Sequence, residues 1–545
     1  MNLGNNRAWS LVGAICLALL LVSQTQAQEP AADAEYKSLP IAEQYQDVPE
    51  EQAANRSTYN EKRRALMNLR REKQSSVSDL LKGKSSSSNA SDMQQWFSGY
   101  VIPQMAQTDD ASLRDLGKNR KAFFRYYLPK DARGQLRNQV IQQIVPAMQK
   151  IAEENYHPAC RTNAVVLLSQ LNSREGDRGT RQLPLPYAPM LPWLNGVVAG
   201  DKYPDYLKAP ALAGIERHAA VRGPFTNQAM SEQEVTALGD EMLKVLKMKP
   251  ESADGIDPDL VQWMQRRAVR TLGMMGKPGE KGKYAKAIGD TITNDDADMK
   301  TRVDAVAAYG MLDFRSQKED ADLKVVVPQI GKLLAQSAVQ ESKYIDEKIN
   351  DIRVTSKFLD NKDALADDST AEDDNQTGLG GMADGGSKRG SKAQNNIPEI
   401  LPTYQRELVR RRIKHHANVT LVALKGNARP NPPLPGLKDY AEQGTKEAEL
   451  INKLITDIET LMAQANVKAP EPEEEEDDDD DDDDDRSSSK KDEKEVRTES
   501  LAEELKGALA RASDKLQTTV DKYAPPEAGT DGAAAAAAGE SSAGQ

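Results

Sequence analysis

Cysteine is nearly absent from this chain of 545 residues, which has two, Cys16 and Cys160. Cys16 lies inside an apolar N-terminal run, so Cys160 is the one thiol left if that run is removed. A single thiol closes no intrachain disulfide, and the fold must be held by packing even in an oxidising compartment. Cys160, just after Pro158, is expected to be a buried structural thiol, with an intermolecular bridge as the alternative. Histidine is also scarce, with only His157, His218, His415 and His416. No two of them stand four residues apart, and HExxH is missing, which argues against a zinc site on one helix face. On a helix His415 and His416 point about 100° apart, so one of them faces solvent. Also missing are GxSxG, the GxxxxGKS/T loop and GxGxxG, the sequence signs of an acyl-transfer nucleophile, a phosphate loop and a dinucleotide fold. Gly378-Leu379-Gly380-Gly381 is glycine-rich but lacks the strand-to-helix setting that aims N–H groups at phosphate. In Asp254-Gly255-Ile256-Asp257-Pro258-Asp259 the oxygen ligands fall in the wrong order for a calcium loop, and Asp257-Pro258 is expected to start a helix. No catalytic, cofactor-binding or metal-ligating residue is therefore assigned.

Aromatic residues make up 5% and hydrophobic residues 38%, so part of the chain has too little apolar surface to pack. The acidic surplus is local. Glu473 to Asp485 carries thirteen carboxylates, equal to the net charge of −13, and leaves the rest near neutral. A nucleic-acid surface is thereby disfavoured. The acidic run reads as an extended, self-repelling spacer. Its functional alternatives are weak association with a basic protein or with Ca²⁺, since carboxylate oxygens suit that ion but a loose run gives it no fixed cage.

Long apolar runs are confined to the N-terminus. Leu11 to Val22 spans twelve residues after the basic Arg7, and Thr25-Gln26-Ala27 puts small residues at −3 and −1. That is the pattern of a secretory signal over 1–27, cleaved before Gln28. The run is shorter than the ~20 residues of a membrane-spanning helix. The expected location is outside the cytoplasm, periplasmic or extracellular, in a bacterial envelope.

What the chain does have is a recurring stripe. Ala164, Leu167, Leu168 and Leu171 fall at i, i+3, i+4 and i+7, as do Ala268, Thr271, Leu272 and Met275. Ala305, Ala308, Tyr309 and Leu312 repeat it, then Ala417, Thr420, Leu421 and Leu424. Each set lines one face of a helix. Helices with a single apolar face bury it by stacking on neighbours. The helices come in pairs. Asn138–Glu154 precedes a helix opened by Pro158, and Tyr187–Val198 precedes Pro204–His218. In that helix His218 takes the fourth place after Ala211, Gly214 and Ile215. Ser231-Glu232-Gln233-Glu234 is a capping box that starts a third pair, completed by a helix from Asp257-Pro258. Tyr284–Thr293 and Asp298–Leu312 form a fourth, and Val325–Gln336 begins another unit.

The fold expected is all-α, with residues 28–91 a polar, mostly disordered linker and 92–360 an N-terminal helical cap followed by repeats. The cap holds Trp96, Tyr100, Val101 and Met105 at helical spacing, with an aromatic cluster of Phe123, Phe124, Tyr126 and Tyr127. A disordered insertion is expected over 361–396, a last repeat and capping helix over 397–467, and a disordered acidic, low-complexity tail over 468–545 with a helix at 499–520.

Arg161-Thr-Asn-Ala164-Val-Val-Leu167-Leu168 and Arg302-Val-Asp-Ala305-Val-Ala-Ala308-Tyr309-Gly310 resemble the second helices of HEAT repeats. Gln265-Arg-Arg-Ala268-Val-Arg-Thr271-Leu272-Gly273 does so with glutamine in place of the arginine. Pro146, Pro192 and Pro328 fall in first helices, where that family often carries a proline. The resemblance covers about residues 138–426. The alanine-to-alanine intervals of 47, 57 and 37 depart from the regular spacing of ~40–47. It implies an α-α superhelix and protein binding: an exported, non-enzymatic interaction scaffold with a protein partner. Because some HEAT-like proteins are lyases, an enzyme or enzyme accessory is the alternative, and a purely structural envelope component is a third.

Overall fold

Helix starts in this chain are written in short polar motifs, and a computed structural model carries them, among the described residues, into fifteen α-helices with almost no strand. It describes residues 35–49, 56–84, 89–249 (except 131, 133, 178, 181, 225, 227 and 228), 257–367, 397–427, 434–465 and 487–523. The signal region 1–27 and the acidic run 473–485 lie outside the described residues, as do 85–88 and 368–396. Among the described residues no helix is long and apolar enough to cross a membrane. The chain divides into two compact units, Met1–Met275 and Gly276–Gln545.

In the first unit, α1 (Arg56–Leu81) and α2 (Ala90–Trp96) precede α3 (Asp110–Tyr127). Within the stretch expected as a linker, Arg56–Leu81 is helical. Tyr45 is buried with its ring edge-on to Trp96, 4.9 Å between centroids. The helix α1 buries Leu66, Val77 and Leu81 and contacts α2 and α3. These apolar residues are too sparse to give a continuous stripe, and the aromatic cluster supplies the partner surface. The Trp96 indole donates to the Tyr127 hydroxyl at 2.8 Å, and Phe97 packs against both Phe123 and Tyr127.

Three helix pairs follow: α4 (Gly134–Glu153) with α5 (Pro158–Gln170), α6 (Met190–Ala199) with α7 (Asp205–Val221), and α8 (Glu232–Leu246) with α9 (Pro258–Met275). The second helices stack in turn, α5 on α7 and α7 on α9. All four residues of the Ala164 and Ala268 stripes are buried, and so are Ala211, Gly214, Ile215 and His218. The small residues set how closely helices approach: a Cβ on Gly214 would stand 2.6 Å from the Cβ of Ser169 on α5. The capping box forms, with the Ser231 hydroxyl accepting from the Glu234 amide and the Glu234 carboxylate from the Ser231 amide. Asp257 accepts from the Asp259 amide at 2.9 Å, an end-cap as expected.

The residue three before Ala164, Ala268 and Ala305 does the same work in different chemistry. Arg161 donates to the Ala152 carbonyl at 3.0 Å and Arg302 to the Ile292 carbonyl at 3.0 Å. Gln265 donates to the carbonyls of Leu246 and Met248 at 3.2 and 2.7 Å. Each partner lies at the end of the preceding helix, where the last carbonyls have no intrahelical donor. The second helix of a pair thereby closes off the first.

The second unit begins with a further pair, α10 (Lys283–Thr293) and α11 (Met299–Gly310). Then come α12 (Leu323–Asp367), α13 (Ile397–Lys425), α14 (Lys446–Gln464) and α15 (Ser487–Tyr523). Here α13 packs on α12 and α14, and α15 packs on α14 and α12, so four helices close around one core. The α12 and α13 helices are antiparallel: Ser337 bonds His416 at 2.7 Å, and Glu341 pairs with Arg412 at 2.7 Å. The same holds for α12 and α15, where Ser513 donates to the Ala335 carbonyl and Lys506 pairs with Asp346. Asp457 on α14 is fully buried against Lys453, Lys515 and Thr519. Burial opposes its ionisation, but those hydrogen bonds outweigh it and hold the carboxyl below its usual range.

Two expectations are corrected. Residues 361–367 continue α12 and do not belong to an insertion. The helix expected at 499–520 runs from 487 to 523 and packs instead of trailing: Leu509, Leu516 and Val520 are completely buried. These residues recur at four- and seven-residue intervals, a stripe whose partner lies far back in the sequence on α12.

Candidate functional site: a basic cleft in the first unit

The residues singled out from the sequence are structural. His157 caps α5, its Nδ1 accepting from the Ala159 amide at 3.2 Å. His415 is exposed and His416 buried, as their spacing requires. Burial, with His415 and Arg412 nearby, lowers the His416 pKa to about 4. Cys160 is buried, donates to the Gln107 carbonyl, and has its pKa pushed up by burial to about 11, so it is not a poised nucleophile. His218 is completely buried, and neither ring nitrogen has a hydrogen-bond partner among the described residues. Burial, reinforced by the Arg217 and Arg222 cations, brings its pKa down to about 3. It is a neutral ring filling a place in a helix stripe. Among the described residues no three His, Cys, Asp or Glu side chains converge as a metal-binding group.

Open, polar space lies elsewhere in the first unit. The end of α3, the segment Leu128–Lys130, the end of α5 and the start of α7's last turn enclose a cleft of about 710 Å³. Its wall includes a short antiparallel hairpin, β1 (Asn172–Arg174) with β2 (Leu185–Pro186). Lys121, Phe124 and Arg125 follow at i, i+3 and i+4, which puts two cations and an apolar side chain on one face of α3, and Leu128 just beyond its end also lines the cleft. Lys130 and Arg217 add two more cations against the single lining carboxylate of Glu175.

The floor of the cleft is pinned. Arg137, on α4 and 5% exposed, donates to the carbonyls of Leu128, Pro129 and Asn172 and to the Glu175 carboxylate. Asn172 in turn donates to Glu175 at 2.7 Å. Arg217 reaches the Ser169 and Leu171 carbonyls at 3.2 and 3.4 Å and the Asn172 side-chain oxygen. Burial lowers its pKa, an effect that Glu175 partly offsets. Glu175 is thus spent on Arg137 and Asn172. The lip is different. Lys130 pairs with Asp177 at 2.6 Å, but Lys121 and Arg125 are exposed and, among the described residues, have no carboxylate within ion-pair distance.

Sequence reading assigned Phe124 to the aromatic core and passed over Asn172–Pro186 as the interval between two helix pairs. The signal that could have found the cleft is the cationic and apolar alternation at 121, 124, 125 and 128, next to a long, turn-rich gap. Compared with known proteins, the chain matches no family, no curated protein and no solved structure.

Proposed function

We propose that this chain is an exported, non-enzymatic protein-interaction scaffold built from HEAT-like helix pairs, with the basic cleft as a docking place. The observation that carries the reading is the cleft's construction. Unneutralised Lys121 and Arg125 stand over a floor immobilised by Arg137, Glu175 and Asn172. Binding surfaces that are ordered beforehand lose less entropy on association. The stacking of α5, α7 and α9, and the shared role of Arg161, Gln265 and Arg302, support a repeat of the HEAT kind drawn out as a superhelix. The enzyme alternative asked for His218 in a pocket with carboxylates, and His218 is instead sealed among helices.

The test is expression of the full chain in an export-competent bacterium, with N-terminal sequencing and chemical crosslinking in the envelope fraction. The expected result is a mature chain starting at Gln28 that crosslinks one protein at fixed stoichiometry. Retention in the cytoplasm would overturn export. Absence of any stoichiometric partner would favour the purely structural role, and turnover of a small molecule would favour the enzyme.

A further inference from the structure

We infer that the cleft between α3, the β1–β2 hairpin and α7 takes an extended acidic peptide segment that carries an apolar side chain. This rests on the scaffold reading and adds the chemistry of the partner. Three observations converge on it.

The first is charge. Four cations line the cleft against one carboxylate, and Glu175 is already saturated by Arg137 and Asn172. A ligand entering this space must bring negative charge, because desolvating Lys121 and Arg125 without a counter-charge is costly. The second is spacing. Side chains four apart on a helix stand about 5–6 Å from one another. Alternate side chains on an extended chain are roughly 6.6 Å apart. Two acidic residues separated by one position can therefore meet Lys121 and Arg125 together. The third is the apolar share of the wall. Phe124 and Pro129 are half-buried in the lining, and Leu128, itself buried, closes the floor. An apolar side chain two positions further along the same face of an extended peptide has a place to go. A sulfated or uronic glycan satisfies the charge but offers nothing to cover the half-exposed Phe124 and Pro129, so the mixed lining selects the peptide. The exposed Gln170 amide at the rim supplies both a donor and an acceptor for a peptide main chain.

The test is fluorescence anisotropy with the full chain and a labelled peptide in which two glutamates and a leucine alternate with serines. Wild type should bind it, and K121E/R125E should bind at least tenfold more weakly. Both residues are exposed on one helix, so the melting curve of this variant should match wild type. K150E, an exposed charge change on α4 outside the cleft, should leave binding unaltered. Raising NaCl from ~50 to ~500 mM should weaken binding, since exposed charge pairs are screened over that range. Replacing the leucine by serine should cost wild type severalfold and F124A nothing further.

Equal binding to wild type and K121E/R125E overturns the inference. So does a heparin oligosaccharide that binds with the same K121E/R125E sensitivity while the peptide does not. Its failure is distinguishable from failure of the scaffold reading. A stoichiometric envelope partner crosslinking equally to K121E/R125E would sink the cleft inference and leave the scaffold. Peptide binding as expected, with no envelope partner, would keep the cleft and sink the scaffold.

Discussion

From α4 to α9 each pair of helices in the first unit leans on the next pair along the chain, whereas α12 to α15 in the second unit close a ring between segments far apart in sequence. The two arrangements bury similar stripes but tolerate different interruptions. In a stack, an insertion between pairs costs little, because each pair already has its neighbours. The β1–β2 hairpin sits in such a gap and lengthens the interval between Ala164 and Ala211 without displacing either from the core. In the ring α12 packs with α13 and α14 with α15, although some twenty to thirty residues of sequence separate each pair, and loop-closure entropy rises only slowly with length. Buried charge is handled alike in both: Arg137 and Arg302 each donate to a carbonyl and pair with a carboxylate, Glu216 is held by Arg267 and Arg270, and Asp457 by two lysines and a threonine.

The tryptophans allow the units to be followed separately. All four tryptophans, Trp9 in the expected signal region and Trp96, Trp193 and Trp263 beyond it, belong to the first unit, and the second has none. The largest expected effect is that of Ala268→Asp. Ala268 is completely buried on α9, and a carboxylate there has no cation built to meet it, a penalty of about 4 kcal/mol or more. Tryptophan emission should then report an early transition, with the helical signal of the second unit persisting by circular dichroism. An unshifted melt would mean that the stripe of α9 does not carry the stack.

Acid comes next. His218 in the first unit and His416 in the second are both buried and neutral, with pKa values lowered to about 3 and about 4. Unfolding releases each ring to titrate near 6.5. The stabilisation is complete above that value and is lost as pH falls through the interval down to the folded pKa, on the order of 3–5 kcal/mol, larger for His218. His218→Leu should flatten the pH dependence of tryptophan-detected stability between pH 6.5 and 4 and leave the second unit's dependence in place. If the slope is unchanged, His218 is not the neutral core ring described above.

Gly310→Val targets the second unit alone. A Cβ at Gly310 would stand 2.5 Å from the Ala423 Cα, so α11 and α13 must move apart. A cost of about 2–3 kcal/mol is expected, as for overpacked cores, visible in circular dichroism and silent in tryptophan emission. A shift of both signals together would show that the two units melt as one.

Short-range rules were legible in the sequence wherever a motif carries its own partner. The Ser231–Glu234 box, the Asp257-Pro258 start, the Pro158 start and the alanine stripes all involve residues within one or two helical turns. Legibility failed where the partner is remote. The Leu509, Leu516 and Val520 stripe looked like a lone tail helix because α12, which covers it, lies some 180 residues earlier. The few apolar residues of α1 gave no periodic signal, and their burial depends on an aromatic cluster that the chain reaches only later. His218 appeared to break a stripe, yet a neutral imidazole fits there and the stripe continues through it. The cleft was hidden for a related reason. Lys121 and Arg125 read as ordinary solvated charges on α3, and only the hairpin folded against them makes a site.

The smallest effect concerns Gln265, and it bears most directly on whether the helix pairs are equivalent. Gln265 closes the carbonyl end of α8 as Arg161 closes α4 and Arg302 closes α10. Gln265→Ala removes both hydrogen bonds and should cost about 1 kcal/mol. Arg161→Met should cost somewhat more, because Arg161 also donates to the Tyr206 hydroxyl and lies 5.8 Å from the centre of that ring. Gln265→Arg is the sharper experiment. If the third pair is built on the plan of the first, a guanidinium should find the same two carbonyls, and stability should stay within about 0.5 kcal/mol of wild type. A larger loss would mean that α8 and α9 meet at an angle only the shorter amide can span. The common role would then be a coincidence of position, and the stack of the first unit would be no more a repeat than the ring of the second.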